Sequence, residues 1–178
     1  LVGVGFALQT FFQDIISGIF ILIDQTVHVG DIIELDGKVG RVENITLRTT
    51  RAVTRDNKVL VIPNHKYLTT TLFNWTENNK VTGESINVSV AYGTDIEKFK
   101  KIIIEVAVQH PDVIKKKAPV LLFQDFGESS LDFTLIVFTE NAFKGGKIKS
   151  DIRFAIEKAL RLNNIEIPFP QRVIHSSK

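Results

Sequence analysis

Thr10, Gln13, Asp14 and Ser17 recur at i, i+3, i+4 and i+7 inside the most apolar stretch of the chain, LVGVGFALQTFFQDIISGIFILI at positions 1–23. On a helix this spacing puts a carboxylate, an amide and two hydroxyls on one face. Phe11, Phe12, Ile15, Ile16, Ile19 and Phe20 cover much of the rest. Such groups bind water and ions but form no nucleophile and base, so the chemistry on offer is hydration of a surface. A carboxylate at the centre of an inserted helix costs about 2.5 to 3.5 kcal/mol. Asp14 is therefore expected to face a water-filled space, another protein surface or lipid headgroups, with Gln13 and Ser17 beside it on the wet side and Gln9 just before.

The remaining reactive residue types are scattered. Arg48, Arg51 and Arg55, with Lys58 nearby, are the densest basic run, either the exposed face of a strand or a charged lining that biases which ions collect beside it. His28, His65, His110 and His175 lie in four separate segments, with no His-x-x-x-His pair, glycine-rich phosphate loop or Gly-x-Ser-x-Gly elbow. No catalytic residue, metal site or cofactor is expected. Gly145-Gly146 before a helical pattern could meet an anion at a helix start, but two glycines more simply make a flexible loop.

Composition bounds the class. The 178 residues carry a net charge of +2, too balanced to imply a polyanion partner, and contain neither cysteine nor methionine. Disulfides and thiolate chemistry are excluded. The stretch reads as the C-terminal part of a longer protein, cut inside a helix. No basic region precedes the apolar run and no small-residue cleavage site follows Ile23, so it is not read as a secretory signal.

The elements that position these residues fall into three parts, 1–24, 25–76 and 77–178. Residues 1–24 are one amphipathic helix, with Gly3 and Gly5 suited to close packing. Short β-branched runs follow, joined by Asp36-Gly37, Asp56-Asn57 and Pro63-Asn64, and indicate a small curved antiparallel barrel, with Gly40 a bulge or a point of close approach. The polar segment ENNKVTG at 77–83 marks the next boundary. Beyond it the order is strand, helix, strand, strand, helix and a closing strand, the split βαβ, ferredoxin-like plan. Thr94 and Glu97 make a capping-box pattern at the first of these helices. At the end, IEIPFPQRVIH (165–175) holds Pro168 and Pro170 around Phe169, which suits an extended edge strand that pairs with neighbouring copies.

GFALQ at 5–9, Ser17-Gly18, Gly30-Asp31 before an apolar strand, Val61-Ile62-Pro63-Asn64, Asn74-Trp75, Ala91-Tyr92 with Asp95, and 165–171 resemble, in order and spacing, the small-conductance mechanosensitive channels of the MscS type. The resemblance covers essentially the whole chain. It implies a homoheptamer in a bacterial inner membrane, multi-pass in the full-length protein. Positions 1–23 would be the third transmembrane helix, and residues from about 25 onward would be cytoplasmic as an Sm-like barrel and a ferredoxin-like domain around a vestibule. It places two apolar constricting rings on Val2 and Phe6 and the helix break around Gln9 and Thr10. Where family members carry glycine and a neutral amide, this chain has Thr10 and Asp14, which makes Gly18 the other candidate for the break. Tension would widen an apolar throat that otherwise sheds water, releasing ions and small osmolytes during hypo-osmotic shock. The partners implied are further copies, membrane lipids and the permeating solutes, with no nucleic acid. The runner-up is a soluble RNA- or ligand-binding module of the same two folds. The near-neutral charge, the apparent lack of exposed stacking aromatics on strands and the unexplained apolar helix weigh against it.

Overall fold

The computed structural model describes residues 2–77 and 80–172, with the backbone alone at Val2, Val4 and Ala7. The expected Val2 ring and the last residues of the 165–175 segment lie outside the described residues. Two compact units emerge, one of residues 1–80 with 142–144 and one of residues 81–141 with 145–178.

The first unit opens with helix α1 (Val2–Asp24), continuous through Gln9, Thr10 and Gly18. It stops where Gln25 turns to φ 52° and donates its N–H to the Ile21 carbonyl at 3.0 Å. At 23 residues α1 is long enough to span hydrocarbon. Among the described residues, however, no helix is long and apolar enough to cross a membrane. α1 is amphipathic, as the spacing of its polar residues indicates.

Strands β1 (Ile32–Leu35) and β2 (Lys38–Ile45) form a hairpin. Asp36 and Gly37 both take positive φ, 50° and 71°, as a primed two-residue turn requires. β3 (Thr49–Thr54), β4 (Val59–Pro63) and β5 (Leu72–Asn74) complete a five-stranded antiparallel sheet in the order β4-β3-β2-β1-β5. Backbone pairing runs between neighbours in that order, from β4 at one margin to β5 at the other. The bulge falls between Val42 and Asn44. Gly40 is instead the close approach, where a Cβ would lie 3.0 Å from that of Ala52. One helical turn, α2 (Lys66–Thr69), follows the Pro63-Asn64 corner. Ile21 of α1 joins Val27, Ile33, Leu35, Val42, Ala52 and Ile62 in the core.

The second unit is a three-stranded antiparallel sheet of β6 (Thr82–Val90), β7 (Val120–Phe126) and β8 (Leu131–Thr139), in the order β6-β8-β7. Central β8 buries every second residue, the period-2 signature of a sheet with one face on a core. Helices α3 (Ile96–Gln109) and α4 (Gly145–Leu162) contribute Phe99, Ile103 and Ala107 and Ile148, Ile152, Ile156 and Leu160 to that core. The α3 cap is Asp95, whose Oδ1 accepts from the Lys98 N–H at 3.0 Å. Thr94, the expected cap, donates its hydroxyl to the Ala91 carbonyl instead.

Among the described residues no closing strand forms. Residues 165–172 have no regular structure. Pro168 and Pro170 lack N–H donors, and the segment is held by isolated bonds. The Glu166 carbonyl accepts from the Ala91 N–H at 3.0 Å, and the Gln171 N–H reaches Ser129 Oγ at 3.1 Å.

Candidate functional site

The second half of α1 buries Asp14, Ser17, Gly18 and Ile21. These positions again run i, i+3, i+4 and i+7, so one complete helical stripe faces the β sheet and its loops. Of the three residues expected on a wet face, Gln13 is exposed, but Asp14 is 6% and Ser17 1% exposed. Protein donors stand in for water. Asp14 Oδ1 accepts from the His65 backbone N–H at 3.1 Å and lies 2.7 Å from the His65 ring Nδ1. Meanwhile Phe6, Phe11, Phe12, Ile16, Ile19, Phe20, Leu22 and Ile23 are all 40% exposed or more. The helix is therefore inverted relative to a water-facing one, with its polar stripe inward and its apolar stripe outward.

Gly18 has a packing reason to be glycine. A Cβ there would lie 2.0 Å from the Leu47 carbonyl oxygen and 2.6 Å from Asn64 Nδ2. The helix is in backbone contact with the β2–β3 loop, which no larger residue permits. Asn64, fully buried, holds the other side of that contact. Its Nδ2 donates to the Thr46 carbonyl at 2.8 Å, its Oδ1 accepts from the Thr50 hydroxyl at 2.9 Å, and its own N–H donates to the Arg48 carbonyl at 2.9 Å. Pro63, half-buried at the end of β4, delivers Asn64 and His65 to the helix. Sequence reasoning named Pro63 and Asn64 but missed His65. Its signal was its place directly after the Pro-Asn corner.

Gly30-Asp31 and Asn74 meet in a second polar knot. Gly30, at φ 100°, turns the chain into β1, and Asp31 then accepts from the His28 N–H, Asn74 Nδ2 and Thr76 Oγ1 at 2.8, 2.8 and 2.9 Å. Burial pushes the Asp31 carboxyl up, but these three donors and the nearby His28 ring outweigh it and hold the carboxyl below the ordinary aspartate value. This knot fastens β5 to the start of β1.

The arginine run does not form one patch. Arg48 lies over the Phe11 ring at 4.7 Å. Arg55 donates to the Ala142 carbonyl at 2.9 Å and lies 5.7 Å from the centre of the Trp75 ring. Arg51 is exposed. At Gly145 the anion at the helix start is the chain's own, because a Cβ there would lie 1.9 Å from Glu84 Oε1. Glu84, missed in the sequence, is 7% exposed and pairs with Lys149 at 2.9 Å. Exposed strand aromatics do exist. Phe123 and Phe126 on edge strand β7 are 43% and 67% exposed with ring centroids 4.7 Å apart. Gln9 and Thr10 are exposed on α1, Pro168 is half-buried and Pro170 exposed. No group of three or more candidate metal ligands occurs among the described residues.

The chain thus combines a β unit that carries an amphipathic helix with an α+β unit. Two family descriptions match: "Mechanosensitive ion channel, beta-domain" over residues 10–77 and "Mechanosensitive ion channel MscS, C-terminal" over residues 84–167. The first begins within α1, so its domain includes the buried polar stripe. The closed-state crystal structure of Helicobacter pylori MscS superposes with a TM-score of 0.87 at 30% identity, covering 99% of this chain and 70% of that one. The chain belongs to the MscS family of mechanosensitive ion channels. Mechanosensitive channel MscK of Escherichia coli is 33% identical over 98% of this chain, and the small-conductance mechanosensitive channel of Edwardsiella ictaluri is 30% identical over 97%. The chain spans 16% of the length of the first and 60% of the second.

Proposed function

We propose that this chain is the pore-side helix and cytoplasmic portion of a tension-gated channel that passes ions and small osmolytes during hypo-osmotic shock. The observation that carries the reading is the inversion of α1. A helix that turns Asp14 and Ser17 onto its own β unit and leaves a row of phenylalanines and isoleucines uncovered is suited to lie against lipid or like helices. In this reading the first turns of α1, with Val2 and Phe6, line an apolar throat. Its second half lies along the membrane surface, with the change of direction at Gln9 and Thr10 or at Gly18.

Copies of the chain would assemble as a homoheptamer in the bacterial inner membrane, with lipid around α1. The parts 25–76, as an Sm-like barrel, and 77–178, as a ferredoxin-like domain, would enclose a cytoplasmic vestibule. The 165–172 segment, left without a ladder partner in one chain, would gain one from neighbouring copies. Arg48, Arg51 and Arg55, all exposed, would then act on the permeating ions. The chemistry is wetting and dewetting of a constriction, with no bond made or broken.

Exposed Phe123 and Phe126 favour a second reading, stacking of RNA bases. They sit beside the carboxylates of Asp125 and Asp132 on the same strand pair, which repel a phosphate backbone.

Tension-clamp recordings of the full-length protein in a lipid patch test the channel reading. Phe6→Ser is expected to open at lower tension than wild type or to leak at rest. An unchanged threshold removes Phe6 from the throat, and a wild-type protein that passes no current under any tension overturns the proposal.

A further inference from the structure

A cavity of about 150 Å³ opens in the first unit among residues of β1, β2 and β4. Ile33, Leu35, Leu60, Ile62 and Pro63 line it, together with Gly40, which contributes no side chain. Ile33, Leu35 and Ile62 belong to the buried cluster of that unit, and Leu60 packs against it from a half-buried position. An aliphatic hollow of about this size stays dry and accepts a benzene-sized body.

The polar lining is sparse and unequal in charge. Asp36 and Lys66 satisfy each other, Oδ2 to Nζ at 2.7 Å. Lys38 also lines the cavity, is exposed, and forms no ion pair among the described residues. Strand β4 is a margin of its sheet, so on its outer side alternate N–H groups have no ladder partner among the described residues. Apolar walls with one uncompensated cation and a few backbone donors are the make-up of a site for a compact amphiphile with a negative head. Its charge is fixed by the count of cations. One ammonium balances one carboxylate, whereas a phosphate monoester brings about −1.5 to −2 charges and three strong acceptors.

We infer that this cavity binds a small organic monocarboxylate, aryl or short alkyl, with its apolar body against Leu35, Leu60 and Ile62 and its head group at Lys38. The carboxylate stays at the mouth in contact with water, so its pairing with Lys38 costs little desolvation while the body gives up apolar surface to the walls. Pro63, one of those walls, leads directly into Asn64 and His65, which hold the β2–β3 loop and α1. An occupant therefore braces the corner on which the helix rests.

Fluorine NMR of 4-fluorobenzoate, titrated against the full-length protein in lipid nanodiscs at neutral pH, tests the site without requiring that the channel open, so it stands or falls apart from tension gating. Wild type is expected to broaden the line saturably, beyond empty nanodiscs of the same lipid. Lys38→Glu should weaken that binding fivefold or more and leave uncharged fluorobenzene as in wild type. Leu60→Trp fills the hollow and should weaken both probes fivefold or more. Lys38 is exposed, so its variant tests the site even if Leu60→Trp does not fold. No saturable broadening by wild type, as when an adjoining copy's strand covers β4 and shuts the cavity, overturns the inference. So does wild-type affinity for 4-fluorobenzoate in either folded variant, or an equal loss of both probes in Lys38→Glu.

Discussion

Among the described residues the second unit buries fourteen apolar side chains in one cluster and adds Glu84 and Thr139, whereas the cluster of the first unit holds seven and Asp14, Ser17, Thr50 and Asn64 are buried with it. Both units fold around a sheet, but they are held by different forces. In the second, stability comes from area taken out of water, which tolerates changes of shape if volume is kept. In the first, a large part rests on donors and acceptors that must find each other at about 3 Å, and a buried polar group that loses its partner costs more than the bond contributed. The polar unit is also the one that carries α1. Hydrogen-bonded contacts are directional, so they can hold a helix in one place or release it, where an apolar face would let it slide.

Three substitutions sharpen or break this contrast, all in the full-length protein. The largest effect is expected at Phe99, fully buried and in ring contact with Phe133 at 4.8 Å. Phe99→Ala should destabilise the second unit by about 3–5 kcal/mol. Denaturant titration followed by hydrogen exchange should show loss of protection across β6–β8, while α1 stays docked. If α1 exchange rises in step, the two units are not energetically separate.

Gly18→Ala comes next. Its added Cβ would meet the Leu47 carbonyl, a backbone atom that cannot rotate away, at an overpacking cost of about 1–3 kcal/mol. Proteolysis or exchange should find α1 and the β2–β3 loop loosened and the second unit unchanged. A fully protected helix in this variant would show that the close approach does not hold it.

Asp31→Asn should have the smallest effect at neutral pH, about 1–3 kcal/mol or less, because an amide keeps one acceptor for three donors. Its sign with pH is the sharper test. The Asp31 carboxyl titrates lower in the folded protein than in the open chain. The stability it supplies is therefore present above the ordinary aspartate range and drains away as pH falls through the depressed one. Acid unfolding of the β unit should lose part of its pH dependence in the variant. An identical acid profile would mean that the knot at the start of β1 is not gripped by charge.

Much of the fold was legible where one physical signal acts alone. The alternation of β8, the Asp36-Gly37 turn and the full extent of β2 follow from a two-residue period and from residues that accept positive φ. The stripe of α1 was legible, and of the three surroundings open to Asp14, water, protein or headgroups, protein is the one found. Spacing says which residues share a side of a helix, but it is silent on whether water or protein meets that side. His65 and Glu84 were missed for the same reason, since each acquires its role from a partner 51 or 61 positions away in the chain. The prolines of the 165–175 segment were legible as an extended path, and the described residues 165–172 show one without a ladder partner in the chain. The motif residues fared better than the charges. Asp31 and Asn74 do converge, whereas Arg48 and Arg55 are each occupied by a neighbouring ring or carbonyl.

Strand β7 lies along a free margin of its sheet, and Val120, Leu122, Phe123 and Phe126 are all more than 40% exposed. Unpaired amides beside greasy side chains adhere to whatever comes first. A solitary copy kept in plain buffer should clump at this margin. The handling of the purified protein would thus be decided by the seven residues of β7.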